Sequence, residues 1–501
     1  MPADPAPDGG DVPVTAADRA PSADRLVDRI ERFLHAFVDM LRLPRAFWIV
    51  NIVYAIDGFA YFGVLLLLPP FLTDVAGVPD KWATVVTACF SAAVTLFMFG
   101  FGSYAERFGV RRALLAGMLI ITAGRLLLCG SPSAAGMWGT VGAAIIVVAS
   151  AALLVTAIGE GVLQTANYSG LKQYSDEKTS AMSFGFNYAL FNLGIVAVGF
   201  ASPPIRVGVN EAIAARAAGQ AVPGGLIGWM ADSCGSGIEA VFWTCAAATT
   251  IGVLVCLALT PRAEAQKLRP EDESRIAKHR EADARGGFLG RIKSGPFGDL
   301  RFTAFVFILF PARTMFAYQI HIMTNYVLRA YPKEVGDRAE WFGNGVNPLI
   351  IVLGVPIITA MTRRMNMYRM MIIGTWVTVL PTFLLCFGER WQLLLTYMIL
   401  FSIGEALWQP RLYQFAAELA PEGRIAAYTA AANVPWLLAK FVTGWYAGWM
   451  MSIYCPAEGA RNPGVMWFIY GAIGLISPIG LMVLAPWFKA GLHRRQPAPA
   501  V

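Results

Sequence analysis

Two carboxylates stand at the same place in a stretch that occurs twice. The first copy runs Ile158-Gly159-Glu160-Gly161-Val162-Leu163-Gln164-Thr165-Ala166-Asn167-Tyr168, the second Ile403-Gly404-Glu405-Ala406-Leu407-Trp408-Gln409-Pro410-Arg411-Leu412-Tyr413. Ile, Gly, Glu, Gln and Tyr recur at a constant offset of 245 residues, about half of the chain. Each copy follows an apolar run long enough to be buried in a bilayer, so each puts an acid where charge is expensive. Such an acid is suited to carrying protons, because a low dielectric disfavours its charged form. Asp57 is a third acid of this kind, mid-run and close to Gly58 and Gly63, where helices can approach closely, and it is the expected main proton site. Altogether Asp57, Arg125, Glu160, Arg313, His321, Glu405, Arg411 and Lys440 lie inside apolar runs. Buried ionisable groups pair with one another or face a wet cavity. Arg125 and Lys440 read as structural, Asp57 and Glu405 as functional, and Glu160 as either, with an Arg125 partnership as its plain alternative. Arg313 and His321 share a run with Tyr318 and Gln319 between them. Tyr61, Phe62, Tyr188, Tyr318 and Trp408 are candidate wall residues, although aromatics at helical spacing in a bundle more often serve helix packing.

The elements that must hold these groups are membrane helices. The chain is 56% hydrophobic with a mean hydropathy of +0.54. Only 15% of residues are charged, against about 25% in soluble globular domains. Fourteen Trp and 49 Gly fit helices that anchor at interfaces and pack closely. Twelve spans of about bilayer length follow from Ala46 onward: 46–72, 82–104, 112–131, 139–165, 180–202, 236–260, 302–327, 345–362, 368–388, 392–418, 426–453 and 464–487. The fold class is therefore all-α and polytopic, with twelve transmembrane helices in two pseudo-symmetric halves of six, 46–260 and 302–487. A charged linker, 261–301, joins the halves on the cytoplasmic side. Residues 1–22 are Pro/Ala/Asp-rich and too poor in apolar residues to build a core. Leu26, Ile30, Phe33, Leu34, Phe37, Val38 and Leu41 then recur at helical spacing up to Pro44, as in an amphipathic helix on the membrane face. Residues 1–45 thus form a tail plus this helix, and 488–501 a cytoplasmic tail. No short apolar core with a small-residue cleavage site marks a secretory signal.

Basic residues orient the bundle. With both termini cytoplasmic, 28 of the 40 Lys and Arg fall inside, 8 outside and 4 within spans. That bias places both ends in the cytoplasm, and the expected location is a bacterial inner (plasma) membrane. The same loops account for the net charge of +7 without nucleic acid. Five of the seven Cys (Cys89, Cys129, Cys245, Cys256, Cys386) sit in apolar runs as small hydrophobes, and the pairing of Cys234 with Cys455 stays open. No Cys or His spacing suits a metal and no cofactor is implied. The four His are scattered and no HExxH or GxSxG occurs, which argues against an enzyme.

The loop Gly102-Ser103-Tyr104-Ala105-Glu106-Arg107-Phe108-Gly109-Val110-Arg111-Arg112 resembles the signature of the major facilitator superfamily, with Arg363-Arg364 as a remnant in the second half. By this likeness Gly102, Glu106, Arg107, Arg111 and Arg112 are gating residues that hold inner helix ends together. Asn187-Tyr188-Ala189-Leu190-Phe191-Asn192-Leu193-Gly194 looks like the fifth-helix signature of the proton-dependent oligopeptide transporter family. Asn347-Pro348-Leu349-Ile350-Ile351 with Pro356 is similar to its eighth helix, and Gly404-Glu405, Pro410 and Leu419-Ala420-Pro421 to its tenth. The family's tenth-helix carboxylate meets a peptide's amino end, which the resemblance carries onto Glu405. The first helix departs from the family: Tyr54, Asp57, Gly58, Phe59, Tyr61, Phe62 and Gly63 keep one shortened carboxylate and lack the other and the Arg. Gln164 stands where the family has a fourth-helix Lys.

The reading is a secondary active transporter that moves a small peptide-like or amphipathic solute by alternating access. It is expected to act as a monomer in the lipid bilayer and to couple to protons through Asp57 and Glu160. Candidate substrate contacts are Glu405, Tyr61, Gln164, Asn192, Arg313, Tyr318, Asn347, Trp408 and Gln409. If Glu160 and Glu405 both face the cavity, with Gln164 and Gln409 one turn on, amines are favoured over zwitterions. A proton-coupled exporter of drug-like or metabolite solutes, and a sensor on a transporter fold, are the alternatives.

Overall fold

The computed structural model describes residues 38–101, 108–132, 141–176, 179–222, 224–268, 296–362, 365–419, 428 and 431–488, and no strand occurs among them. The membrane supplies no partner for backbone N–H and C=O groups, so each apolar run closes its own hydrogen bonds as a helix. The first half contains α1 (Arg45–Pro70), α2 (Asp80–Gly100), α3 (Val110–Cys129), α4 (Val141–Tyr174), α5 (Ser180–Ala217) and α6 (Gly237–Leu257). The second contains α7 (Leu300–His321), α8 (Asn347–Met361), α9 (Met367–Phe387), α10 (Trp391–Leu419), α11 (Val434–Tyr454) and α12 (Pro463–Val483). Ten of these are long and apolar enough to cross a membrane by length and composition. The other two are α8, entered through a π-helical turn at Trp341–Val346, and α11, whose Trp, Tyr and Lys440 lower its mean hydropathy. The chain is an all-helical, multi-pass integral membrane protein.

Two helices outrun their apolar stretches. α4 continues to Tyr174 and α5 to Ala217, past the Pro203-Pro204 pair at which the hydropathy signal stops. Hydropathy reports the bilayer, whereas helical hydrogen bonding continues into the polar layer beyond it. Of the expected amphipathic helix only residues from Val38 onward are described; they are helical to Leu41, with Met40 buried and Val38 and Leu41 exposed. All seven Cys are free, Cys234 and Cys455 included.

Packing repeats with the sequence. α3 lies on α4, α1 on α5 and α2 on α4; α9 lies on α10, α7 on α11 and α8 on α10 in the same pattern. One core cluster draws all its members from 302–488, and two others draw theirs from 40–259. The halves meet along α2–α11 and α5–α8, a pair related by the same pseudo-symmetry, and where α1 meets α7. Below, the near face is the one at which α1 begins and the far face the one at which it ends.

The Gly of each repeat copy lets its helix pack closely on a neighbour. A Cβ on Gly159 would lie 2.7–2.9 Å from Ile121 and the Gly117 carbonyl on α3. A Cβ on Gly404 would run into Thr378 on α9. Gly58 and Gly194 do the same for α1 and α5. Gly404→Ala is therefore expected to lower stability by about 1–3 kcal/mol through overpacking, read as a fall in melting temperature. Gly185→Ala, with nothing within 4 Å, is the neutral control; equal melting of the two variants would show that α9 and α10 yield freely.

Candidate functional site

A cavity of about 850 Å³ opens between the halves, walled by the middle and near-face parts of α1, α2, α4, α5, α8, α10 and α11. The first half contributes an aromatic wall, Tyr54, Tyr61, Phe62, Tyr168, Tyr188 and Phe191, with Gln164. Tyr54 stacks on Phe191 at 4.4 Å and Tyr168 meets Tyr54 edge-on at 6.4 Å. The second half contributes Glu405, Gln409, Tyr413, Trp436 and Lys440. Glu405 and Lys440 are the charged residues of this lining.

Glu405 is held by neutral groups. Asn347 Nδ2 donates to its Oε2 at 3.0 Å and Gln409 Nε2 to its Oε1 at 2.7 Å, while Asn347 also donates to Ser402 Oγ at 2.9 Å. Asn347 begins α8 and Gln409 lies one turn further along α10, so two helices fix the carboxylate. No cation lies within ion-pair distance of it among the described residues. Its charge is thus oriented but not neutralised, the state of a group that takes a cation from the cavity.

The equivalent acid is used differently. Arg125 Nη2 donates to Glu160 Oε1 at 2.9 Å and to Asp57 Oδ1 at 3.3 Å, and its Nη1 donates to Thr249 on α6. Arg125 is 1% exposed and both acids 0%. Asp57 Oδ2 has no hydrogen-bond partner. Helices α1, α3, α4 and α6 thus converge on two carboxylates and one guanidinium, and a single proton makes the cluster neutral. Gln164 lines the cavity and donates to Glu160 Oε2 at 3.5 Å, which sets it between the acid and the lumen. Tyr61, one turn after Asp57, stands likewise on the wall.

Several expected contacts are placed elsewhere. Glu160 is absent from the wall, so the two-acid site does not form and the amine preference built on it falls away: the carboxylate is committed to Arg125. Trp408 is fully buried, with its Nε1 donating to Thr378 at 3.2 Å, and Tyr318 is fully buried against Tyr470 at 4.0 Å and bonded to Tyr446. Arg313 lies over the rings of Trp408 and Trp436, at 5.0 and 5.8 Å, instead of facing the lumen. Asn192 donates to the Tyr188 carbonyl at 2.8 Å, and Asn347 supports Glu405 from behind. Helical spacing names a residue's neighbours along its own helix but not which side faces a cavity. Lys440, Tyr54 and Tyr168 reach the wall without having been singled out for it. The Asn of the fifth-helix motif, Asn187, donates to Asn51 at 3.1 Å and accepts from Asn167 at 3.0 Å, tying α5 to α1 and α4. Gly102, Glu106 and Arg107 lie outside the described residues. Arg111 Nε donates to the Leu259 carbonyl at 2.6 Å and its backbone N–H to Glu264 at 3.2 Å, a tie from α3 to the end of the first half and the start of the linker, while Arg112 is exposed.

The far face is closed across the halves. Arg206 on α5 holds Glu340 through Nε at 2.6 Å and Nη2 at 2.9 Å, and Nη2 also donates to the carbonyls of Gly336 and Asp337 at 3.1 Å. Arg329 holds Asp80 at 2.7 and 2.8 Å. Asn344 donates to the Phe62 carbonyl at 3.1 Å between them.

Comparison with known proteins agrees with this layout. The model of the major facilitator superfamily matches residues 50–444. The chain belongs to that superfamily. Among solved structures, the POT family transporter PepTSo superposes with a TM-score of 0.65 at 15% identity, over 90% of this chain and 99% of that one. Tetrameric PepTSo2 gives 0.62 at 17%, over 89% and 98%. A POT family transporter in complex with 5-aminolevulinic acid gives 0.63 at 15%, over 89% and 97%. At these identities the likeness is one of fold. A search of curated protein sequences returns no match. As a member of the major facilitator superfamily the chain is a transporter, and its ten long apolar helices with α8 and α11 make up the twelve-helix major facilitator fold.

Proposed function

We propose that this transporter couples the movement of a small, peptide-like solute with a cationic amino group to protons, by alternating closure of its two faces. The observation that carries the reading is the Asp57–Arg125–Glu160 cluster, in which two fully buried acids share one guanidinium. Proton uptake by the cluster changes its net charge, and Tyr61 and Gln164 lie between it and the solute. Glu405 receives the solute's amino group in place of a counter-ion, with Asn347 and Gln409 fixing both of its oxygens. The aromatic wall of the first half covers the apolar parts of the solute.

From the bias of Lys and Arg toward the near face we take that face as cytoplasmic, with both termini on the cytoplasmic side of a bacterial inner membrane, and we take the working unit as a monomer. The state described is then open toward the cytoplasm and closed outside by Arg206–Glu340 and Arg329–Asp80. Rocking of the first half, 46–260, against the second, 302–487, would open the other side. Uptake of radiolabelled alanyl-alanine into vesicles under an imposed pH gradient tests the reading; equal uptake with and without the gradient would remove proton coupling. Glu405→Gln is expected to weaken alanyl-alanine binding by at least about tenfold, the loss of a charge-assisted contact, and to leave the affinity for N-acetyl-alanyl-alanine unchanged.

A further inference from the structure

The cavity lining holds one acid and one base, and the base sits in an unusual position. Lys440 lies on α11 and is 9% exposed. Its Nζ donates to the Ser91 carbonyl at 3.3 Å and to Thr95 Oγ1 at 3.4 Å, both on α2 of the other half. The face of Trp436 lies 5.1 Å away. No carboxylate of the described residues is within ion-pair distance of it. Two long contacts to neutral oxygens are weak compensation for a buried ammonium, which is well placed to exchange them for an anion.

The same face of α11 forms the seam between the halves. Gly444 and Gly448 follow Lys440 at one-turn intervals; a Cβ on Gly444 would run into the Cβ of Ala88, and one on Gly448 into Thr84. Thr84 Oγ1 donates to the Gly444 carbonyl at 2.9 Å. The seam therefore begins at Lys440 on the cavity wall and runs to Asp80, where Arg329 closes the far face.

We propose that Lys440 binds the carboxylate of the solute, and that its transfer from Ser91 and Thr95 to that carboxylate releases the cavity end of the α2–α11 seam. This rests on the assignment of Glu405 to the amino group. The positive pole lies on α11, opposite in charge to Glu405, whereas the fourth-helix position carries the neutral Gln164 and Arg313 is turned away between two tryptophans. Recognition of the second charge is thereby linked to opening of the far face: a solute without a carboxylate leaves Lys440 on α2.

The test is binding of alanyl-alanine, its C-terminal amide and its N-acetyl form to the purified wild type and to Lys440→Gln and Lys440→Arg. Wild type is expected to prefer the free carboxylate over the amide by about tenfold or more. Lys440→Gln should lose that preference and keep the preference for a free amino group, and Lys440→Arg should restore it. A spin-label pair at the exposed Leu226 and Glu334, with Cys89 replaced, should report far-face opening with alanyl-alanine and none with the amide. Full carboxylate preference in Lys440→Gln overturns the proposal and leaves the Glu405 assignment standing. Loss of amino-group preference in wild type overturns the Glu405 assignment, and this proposal with it.

Discussion

Asp57→Asn is expected to abolish proton-driven accumulation while leaving solute exchange across a vesicle membrane largely intact. A carrier that moves one proton per solute accumulates about tenfold per unit of pH gradient, since one unit is about 1.4 kcal/mol. In the variant that ratio should fall to about one. Asn keeps the size of the side chain and an oxygen for Arg125 Nη2, which lies 3.3 Å from the native Oδ1, so the α1–α3 contact survives. What disappears is the acid whose Oδ2 is unpartnered and can gain or lose a proton without breaking a hydrogen bond. Glu160 is then left alone with Arg125, a closed ion pair with no charge to trade. Counterflow of labelled against unlabelled solute supplies the exchange measurement. Accumulation persisting at about tenfold per pH unit would transfer the coupling role to Glu160 or Glu405.

Glu340→Gln is expected to shift the protein toward a state open at the far face by about 3 kcal/mol, a population change of over about a hundredfold. Arg206 and Glu340 are 7% and 1% exposed, so removing the acid leaves a guanidinium buried against neutral carbonyls in the closed state. Opening returns it to water. The label pair at Leu226 and Glu334 should then report the longer distance without any solute. Arg206→Gln combined with Glu340→Gln removes the orphaned charge as well as the pair, and should restore most of the closed population. A closed population in Glu340→Gln equal to that of wild type would show that the α2–α11 seam alone sets the closure.

The twelve helices and the halves were legible because bilayer thickness imposes a run length that composition displays directly. Glu405, Gln409 and Gln164 were legible through the repeat and the one-turn spacing within it, and Tyr61 as one of the candidate wall aromatics. Lys440 was not: its partners lie on α2, 345 and 349 positions away, and a lone Lys in an apolar run looks like a helix tie. Arg125 was read as structural, and its ion pairs across 35 and 68 positions show it holding together two acids assigned to proton work. Trp408 and Tyr318 went astray for the opposite reason, since an aromatic on an amphipathic helix gives no sign of which side is core. The ends of α4 and α5 were missed because hydropathy stops at the membrane surface and helices do not.

Among the described residues, three ion pairs cross between the halves at the far face, and they differ in their shelter from water. Arg206–Glu340 and Arg329–Asp80 are about nine-tenths or more buried, whereas Lys333–Glu211 is 71% and 67% exposed at 3.7 Å. Mobile ions screen charges over about 8 Å at 0.15 M salt, but only where they can reach them. Salt therefore weakens the outermost pair and does not reach the two inner latches while the far face is closed. Of the three pairs, the two sheltered ones therefore hold the far face closed without losing strength to salt in the closed state.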